Sequence, residues 1–189
     1  MYRYDIHVHA RPSRNGVSAW QNFVNTAIAR GMDGICFTEH SHTEKFDHRP
    51  KSLKHPDTFT VMWGQEVSTP SGDVLVYGAD TSIPKGTSID DMPTEWALVK
   101  AHPWRGRGND GKLCPGYDAV EIFNGGRTNA DTAKVQDDIL WTGLSTTGGS
   151  DAHRHKSVGK CFTCVTRRIA CIEGLIEAIK LRKTIGGYR

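Results

Sequence analysis

The chain has 189 residues, 37% hydrophobic and 24% charged, with a formal net charge of +3 when the histidines are neutral. That length can bury one substantial core, so a single domain over 1–189 is expected. No apolar run is long enough to cross a bilayer, and the charge is too small to demand a nucleic-acid partner, though it suits an anionic small molecule.

The opening MYRYDIHVHA lacks a charged-then-apolar leader pattern, so the expected location is cytoplasmic. Residues 4–13, YDIHVHARPS, read as a strand in which His7 and His9 point to the same face. Such a pair either binds something together or, as an isolated His-x-His more often does, faces water. Residues 18–30 carry Trp20, Phe23, Val24, Ala27 and Ile28 at helical spacing, with Ser18 as N-cap and Gly31 as the stop. DGICFTEH follows as an apolar strand ending in polar residues. Strand, helix, strand in that order suggests a parallel β/α architecture, whose functional residues gather at the carboxyl ends of the strands.

Residues 41–57 are polar and aperiodic and read as a loop over a site. FTVMWGQEVST and GDVLVYGAD read as two strands, and residues 80–95 as connection. WALVKAHPW is an apolar run stopping at His102-Pro103. YDAVEIFNGG is a further strand, followed by a weaker helical stretch near 129–141. LSTTGGSDAH again runs from strand into polar residues. VGKCFTCVT is one more strand, and IEGLIEAIKLRK places Ile172, Leu175, Ile176 and Ile179 on one helical face.

The five cysteines are an odd number and read as reduced thiols. Cys161 and Cys164 form a C-x-x-C, but in a strand residues three apart face opposite ways and chelate poorly. Core packing is the simpler role for them.

Each strand-like run ends in a metal-capable residue: His7 and His9, then Glu39-His40, Glu66, His102, Glu121 near Asn124, and Asp151 with His153. A parallel barrel brings these ends to one rim, where imidazoles mixed with carboxylates suit zinc, manganese or iron. His7 and His9 are then the first two ligands of a rim-mounted cluster.

These segments resemble, in order, the motifs of the polymerase and histidinol phosphatase (PHP) family of metal-dependent phosphoesterases. DIHVHA is similar to its H-x-H motif, FTEHS to T-[DE]-H, WGQEVST to the G-x-E segment, AHPWR to the H-P motif, and GGSDAH to G-S-D-x-H. VEIFNG and VGKCFT fall where family members carry similar segments. The resemblance implies a distorted (β/α)7 barrel with two or three divalent ions at its carboxyl rim. Carried over residue by residue, His7, His9, Glu66 and Asp151 would hold one ion. Glu66 would bridge to a second ion bound by His102, and His40 and His153 would hold a third. Members with a full third site often place His or Asp a few residues after H-x-H, where this chain has Arg14 and Asn15. Several members add a histidine after the E-x-F-N-like strand, and NGGRTNADTA has none. A two-ion core is the firmer expectation.

The implied chemistry is attack of an activated hydroxide on phosphorus, with metal ions polarising a phosphoryl oxygen. His153, Asp151 or His40 would protonate the leaving alkoxide. Arg105, Arg11 and Arg127 are candidates for gripping phosphate, each equally readable as a solvated surface residue. Trp104 could stack on a base or pack in the core. His42 and His155 could touch substrate, and His48 and His55 read as loop residues. With no polymerase or second catalytic module in the 189 residues, the expectation is a small stand-alone member acting on a phosphate ester, nucleotide or short oligonucleotide. Stable nucleic-acid binding and membrane association are not expected. The alternatives are a carbamate or amide hydrolase using the same site, and a non-catalytic metal-binding module.

Overall fold

The computed structural model describes residues 1–10, 17–43, 46–105, 115–126 and 143–189. The helix expected near 129–141, and Arg11, Arg14, Asn15 and Arg127, lie outside the described residues. In chain order the elements are β1 (Tyr2–Val8), α1 (Val17–Ala29), β2 (Gly34–His40), β3 (Thr60–Thr69), β4 (Gly72–Tyr77), β5 (Ala97–Lys100), β6 (Ala119–Asn124), β7 (Ser145–Gly149), β8 (Cys161–Val165), α2 (Ile172–Lys180) and β9 (Ile185–Tyr188).

α1 forms where the apolar spacing predicts it, burying Trp20, Phe23, Val24 and Ala27. It stops at Gly31, whose φ of +67° an L side chain rarely adopts. The Met32 N–H returns to the Ala27 carbonyl (3.0 Å) and the Gly31 N–H to that of Ile28 (2.9 Å), a Schellman closure of the helix end.

The strands form one nine-stranded sheet in the order β7-β6-β5-β4-β3-β2-β1-β8-β9. β1, β2 and β3 are mutually parallel, as are β5, β6 and β7. β4 runs against both β3 and β5, so the two parallel sets point the same way. The reversal of β4 is a feature the parallel β/α expectation lacked. Its cause is local: only Pro70 and Ser71 separate β3 from β4, and so short a link closes a hairpin rather than a crossover.

The sheet curls until its ends meet. Val8 forms a parallel bridge to Ala152, the Asp151 N–H donates to the His7 carbonyl (2.8 Å), and the His9 N–H donates to the Ala152 carbonyl (3.0 Å). β9 covers the seam, with the Gly186 N–H donating to Thr146 Oγ1 (3.1 Å). The result is a distorted barrel, as expected, formed among the described residues by nine strands rather than seven.

The interior is filled by Tyr4, Ile6, Cys36, Met62, Leu75, Tyr77 and Val99, closed at the amino-terminal end by Leu175 and Ile179 of α2. A second core under α1 gathers Val8, Ala10, Ile35 and Phe37. Cys161 is buried and Cys164 half-buried against that second core, in keeping with their packing role. Among the described residues no helix is long and apolar enough to cross a membrane.

Candidate metal centre

Strict alternation along β1 would send His7 and His9 outward, because Tyr4 and Ile6 already face the barrel interior. The register with β2 slips between Asp5 and Val8. Beyond the slip, Val8 and Ala10 join the outer core, so the parity reverses and both imidazoles turn inward. A β-bulge of this kind re-aims side chains at a rim. It also frees the Val8 N–H from the regular ladder, and Thr38 Oγ1 accepts it (3.1 Å).

The two imidazoles meet with His7 Nε2 and His9 Nε2 3.0 Å apart. Glu66, from the middle of β3, brings Oε2 to 3.2 Å and Asp151, after β7, brings Oδ1 to 3.4 Å from His9 Nε2. His7 Nε2 lies 3.7 Å from both carboxylates. β2 and β3 set His40 opposite Glu66 in register, and His40 Nδ1 reaches Glu66 Oε2 at 3.0 Å. The other Glu66 oxygen lies 2.8 Å from Nε2 of His102, just past β5. His153 Nδ1 is 3.6 Å from Asp151 Oδ1, and its ring stacks on His9 with centroids 4.6 Å apart.

All seven residues expected at the metal centre therefore converge: His7, His9, His40, Glu66, His102, Asp151 and His153. Their ligating atoms form overlapping groups, each within 4.8 Å: His7, His9 and Glu66; His7, His102 and Asp151; His9, His40 and His153. Two of the seven sit on strained backbone, His102 at φ +23° and Asp151 at φ +50°, a cost of about 1–3 kcal/mol each that tends to collect at functional sites.

A buried cluster with this much negative charge needs positive charge beside it. Burial alone would raise Glu66, yet the His7 charge and hydrogen bonds from His102 and His40 outweigh it and hold the carboxyl well below its usual range. Asp151 is likewise held low against its burial, by His7 and His9. Burial would lower His7, but Glu121, Asp151 and Glu66 push it well above the usual imidazole value. His153 is lowered, first by burial and then by the charge on His9. The carboxylates thus demand cationic charge at the point where the imidazole nitrogens converge. Nitrogen and oxygen donors in that arrangement fit a divalent transition-metal ion.

The structure adds residues the sequence reading did not single out. Asp73, at the start of β4, forms a further group with Glu66 and His102, and Ser68 Oγ donates to its Oδ1 (2.9 Å). Asp5 is fully buried and accepts the Ser150 N–H (2.9 Å) and the Gly159 N–H (2.6 Å), anchoring the turn that carries Asp151. An acid inside the apolar run YDIHV was the available signal for Asp5. Asp73 had none, because its place follows from the hairpin.

Glu39 turns away from the cluster and accepts the Ala10 N–H through Oε1 (2.6 Å). Arg105 lines the same cavity of about 260 Å³ as His40, His42, Asp73 and Asp151, and its Nη1 donates to Asp151 Oδ2. Trp104 packs against Val120 and Ile122, as its core reading required. His155 lies edge-on to Phe23 under α1, while His48 and His55 are exposed.

Comparison with known proteins bears on the fold. Residues 142–184 match the PHP_C family model, described as PHP-associated. Three solved structures share the fold. PsfC from Pseudomonas syringae PB-5123 is 19% identical, with a TM-score of 0.76 over 100% of this chain and 93% of that one. A two-domain protein from Bacteroides vulgatus ATCC 8482, containing a predicted PHP-like metal-dependent phosphoesterase, is 16% identical, with a TM-score of 0.72 over 100% of this chain and 65% of that one. A candidate metal-dependent phosphoesterase from Bifidobacterium adolescentis ATCC 15703 is 14% identical, with a TM-score of 0.55 over 95% of this chain and 96% of that one. Curated protein sequences give no match. The chain has the fold of the PHP-like phosphoesterases, and the resemblance read from its motifs is borne out.

Proposed function

We propose that the protein is a metal-dependent phosphoesterase that hydrolyses a phosphate mono- or diester of a small molecule, nucleotide or short oligonucleotide. The observation that carries this reading is the 3.0 Å approach of His7 Nε2 to His9 Nε2 between Glu66 and Asp151. Two nitrogen lone pairs and two carboxylates aimed at one point are costly unless a cation sits among them.

In this reading His7, His9, Glu66 and Asp151 would hold one divalent ion, and His102 and Asp73, which share Glu66 with that set, would hold a second. Manganese, zinc and iron all suit the donors. Such ions supply Lewis acidity toward a phosphoryl oxygen and an acidified water as nucleophile. Arg105 grips a second phosphate oxygen from the cavity wall, where its planar fork suits bidentate contact.

The leaving alkoxide needs a proton, and the shifts narrow the three candidates. Asp151 is held too low to carry one at neutral pH. His153 is lowered by its burial and by the charge on His9, which disfavours its protonated form. His40, about one-third exposed at the cavity mouth, is left as the general acid of a two-ion centre.

The test is phosphate release by protein reconstituted with manganese, zinc or iron, against phosphomonoesters, nucleotides and short oligonucleotides, beside carbamates and amides. Turnover of a phosphate ester that Asp151→Asn abolishes supports the proposal. Turnover of carbamates or amides alone, or of nothing with metal bound, overturns it.

A further inference from the structure

Glu121 was read from the sequence as one more metal-capable strand end. Its carboxylate is buried, and both oxygens are engaged away from the point where the other ligands converge. Oε1 lies 2.8 Å from His7 Nδ1, and because an ionised carboxylate only accepts, Nδ1 is the donor. Oε2 accepts the His102 N–H (3.0 Å) and the Asn124 side-chain amide (2.9 Å). Asn124 in turn accepts the Gly126 N–H through Oδ1 (2.9 Å), fixing its own orientation.

The contact between β6 and β1 depends on a missing side chain. Gly149 of β7 lies between them, and a Cβ there would come within 2.3 Å of His7 Cβ and 2.9 Å of Glu121 Oε1. Glycine at 149 therefore leaves the space in which the imidazole and the carboxylate meet.

We infer that Glu121 is a positioning residue that sets two ligands at once: it keeps the His7 proton on Nδ1, so that Nε2 presents its lone pair to the cluster, and it holds His102 in its left-handed backbone conformation. A ring nitrogen's state is set by the hydrogen bond its partner nitrogen makes, and ligand-orienting carboxylates govern metal affinity in this way. His102 at φ +23° needs such a tether, since an L residue leaves that region readily. His7 and His102 belong to different ions in the proposed centre, so one carboxylate couples the two sites. This inference rests on the metal-centre reading for its consequence, but its structural content concerns the chain alone.

The test has two arms, neither involving a phosphate ester. Histidine-selective nitrogen-15 NMR of the metal-free wild-type protein, at a pH alkaline enough to make His7 neutral, locates its proton. The inference expects it on Nδ1, and a proton on Nε2 overturns it. Zinc titration by calorimetry then compares wild type with Glu121→Gln and Glu121→Ala. In the glutamine variant, either amide orientation sets an NH2 against the His7 N–H or the His102 N–H. Zinc affinity should fall roughly tenfold or more, with the His7 proton redistributed. Affinity within about twofold of wild type, with the proton still on Nδ1 in both variants, overturns it. The wild-type NMR arm decides the matter even if a variant does not fold. Failure of wild type to bind zinc would sink the metal reading and leave the proton location as an independent result.

Discussion

Asp151 and His7 are tied twice across the seam of the barrel: the Asp151 N–H donates to the His7 carbonyl at 2.8 Å, and the Asp151 carboxylate lies 3.7 Å from His7 Nε2. The backbone contact fixes where the carboxylate stands, and the carboxylate supplies charge to the cluster. Asp151→Asn removes the charge and keeps the size. Turnover of a phosphate ester should fall by roughly a hundredfold or more, with circular dichroism unchanged. Near-normal turnover with unchanged metal content would show that Asp151 is not part of the centre.

The general-acid assignment to His40 is tested by leaving-group dependence. His40→Gln should slow hydrolysis of alkyl phosphates, whose alkoxide needs a proton, by about a hundredfold. An aryl ester with a good leaving group should lose much less. Equal losses on both esters would make His40 a ligand rather than an acid.

Asp5 holds the other side of the same turn. Burial pushes its carboxyl up to about 6, against hydrogen bonds from Ser150 and Gly159 that favour the charged form. Asp5→Ala leaves the Ser150 and Gly159 N–H groups buried without an acceptor, a loss of about 2–4 kcal/mol in urea unfolding. Since Ser150 precedes Asp151, metal affinity should weaken as well. A variant as stable as wild type would mean that water replaces the carboxylate without cost.

pH dependence follows from the signs of the shifts. His7 and His9 are raised above the usual imidazole value of 6.5, so the folded chain binds more protons than the unfolded one. Their contribution is complete below that value and is lost as pH climbs through the folded values. Glu66 and Asp151 are depressed, so theirs is present above the ordinary carboxylate range and lost as pH falls through the folded values. Metal-free protein should therefore lose stability on both limbs in thermal unfolding. Added zinc should lift the alkaline limb, because metal replaces the protons that His7 and His9 give up. An alkaline limb that zinc leaves unchanged would contradict the exchange of proton for metal.

The candidate ligand set was legible because five short motifs carry it, most of them at or beyond a strand end, and a barrel rim turns those ends into neighbours, with Glu66 reaching the rim from within β3. His7 and His9 could be placed on one face from spacing alone, but which face depended on the slip between Asp5 and Val8, and a bulge leaves no mark in a pattern of alternation. The reversal of β4 was hidden for a related reason. GDVLVY reads as a strand in either direction, and only the two-residue link before it sets the sense. Asp73 reaches the cluster through that reversal, so it was invisible too. Glu121 was noticed as a carboxylate, but its part depends on Gly149 leaving room for His7, a three-strand relationship that no single segment contains.

The central claim is that these side chains form a multinuclear metal centre, and the most direct measurement is its stoichiometry. Chelator-treated protein titrated with zinc or manganese by calorimetry, with elemental analysis of the loaded sample, should take up at least about two ions per chain. Glu66→Ala, which removes the carboxylate shared by the two proposed sites, should lose at least one of them while remaining folded. Uptake below about one ion per chain in wild type, or the same uptake in Glu66→Ala, would contradict the account.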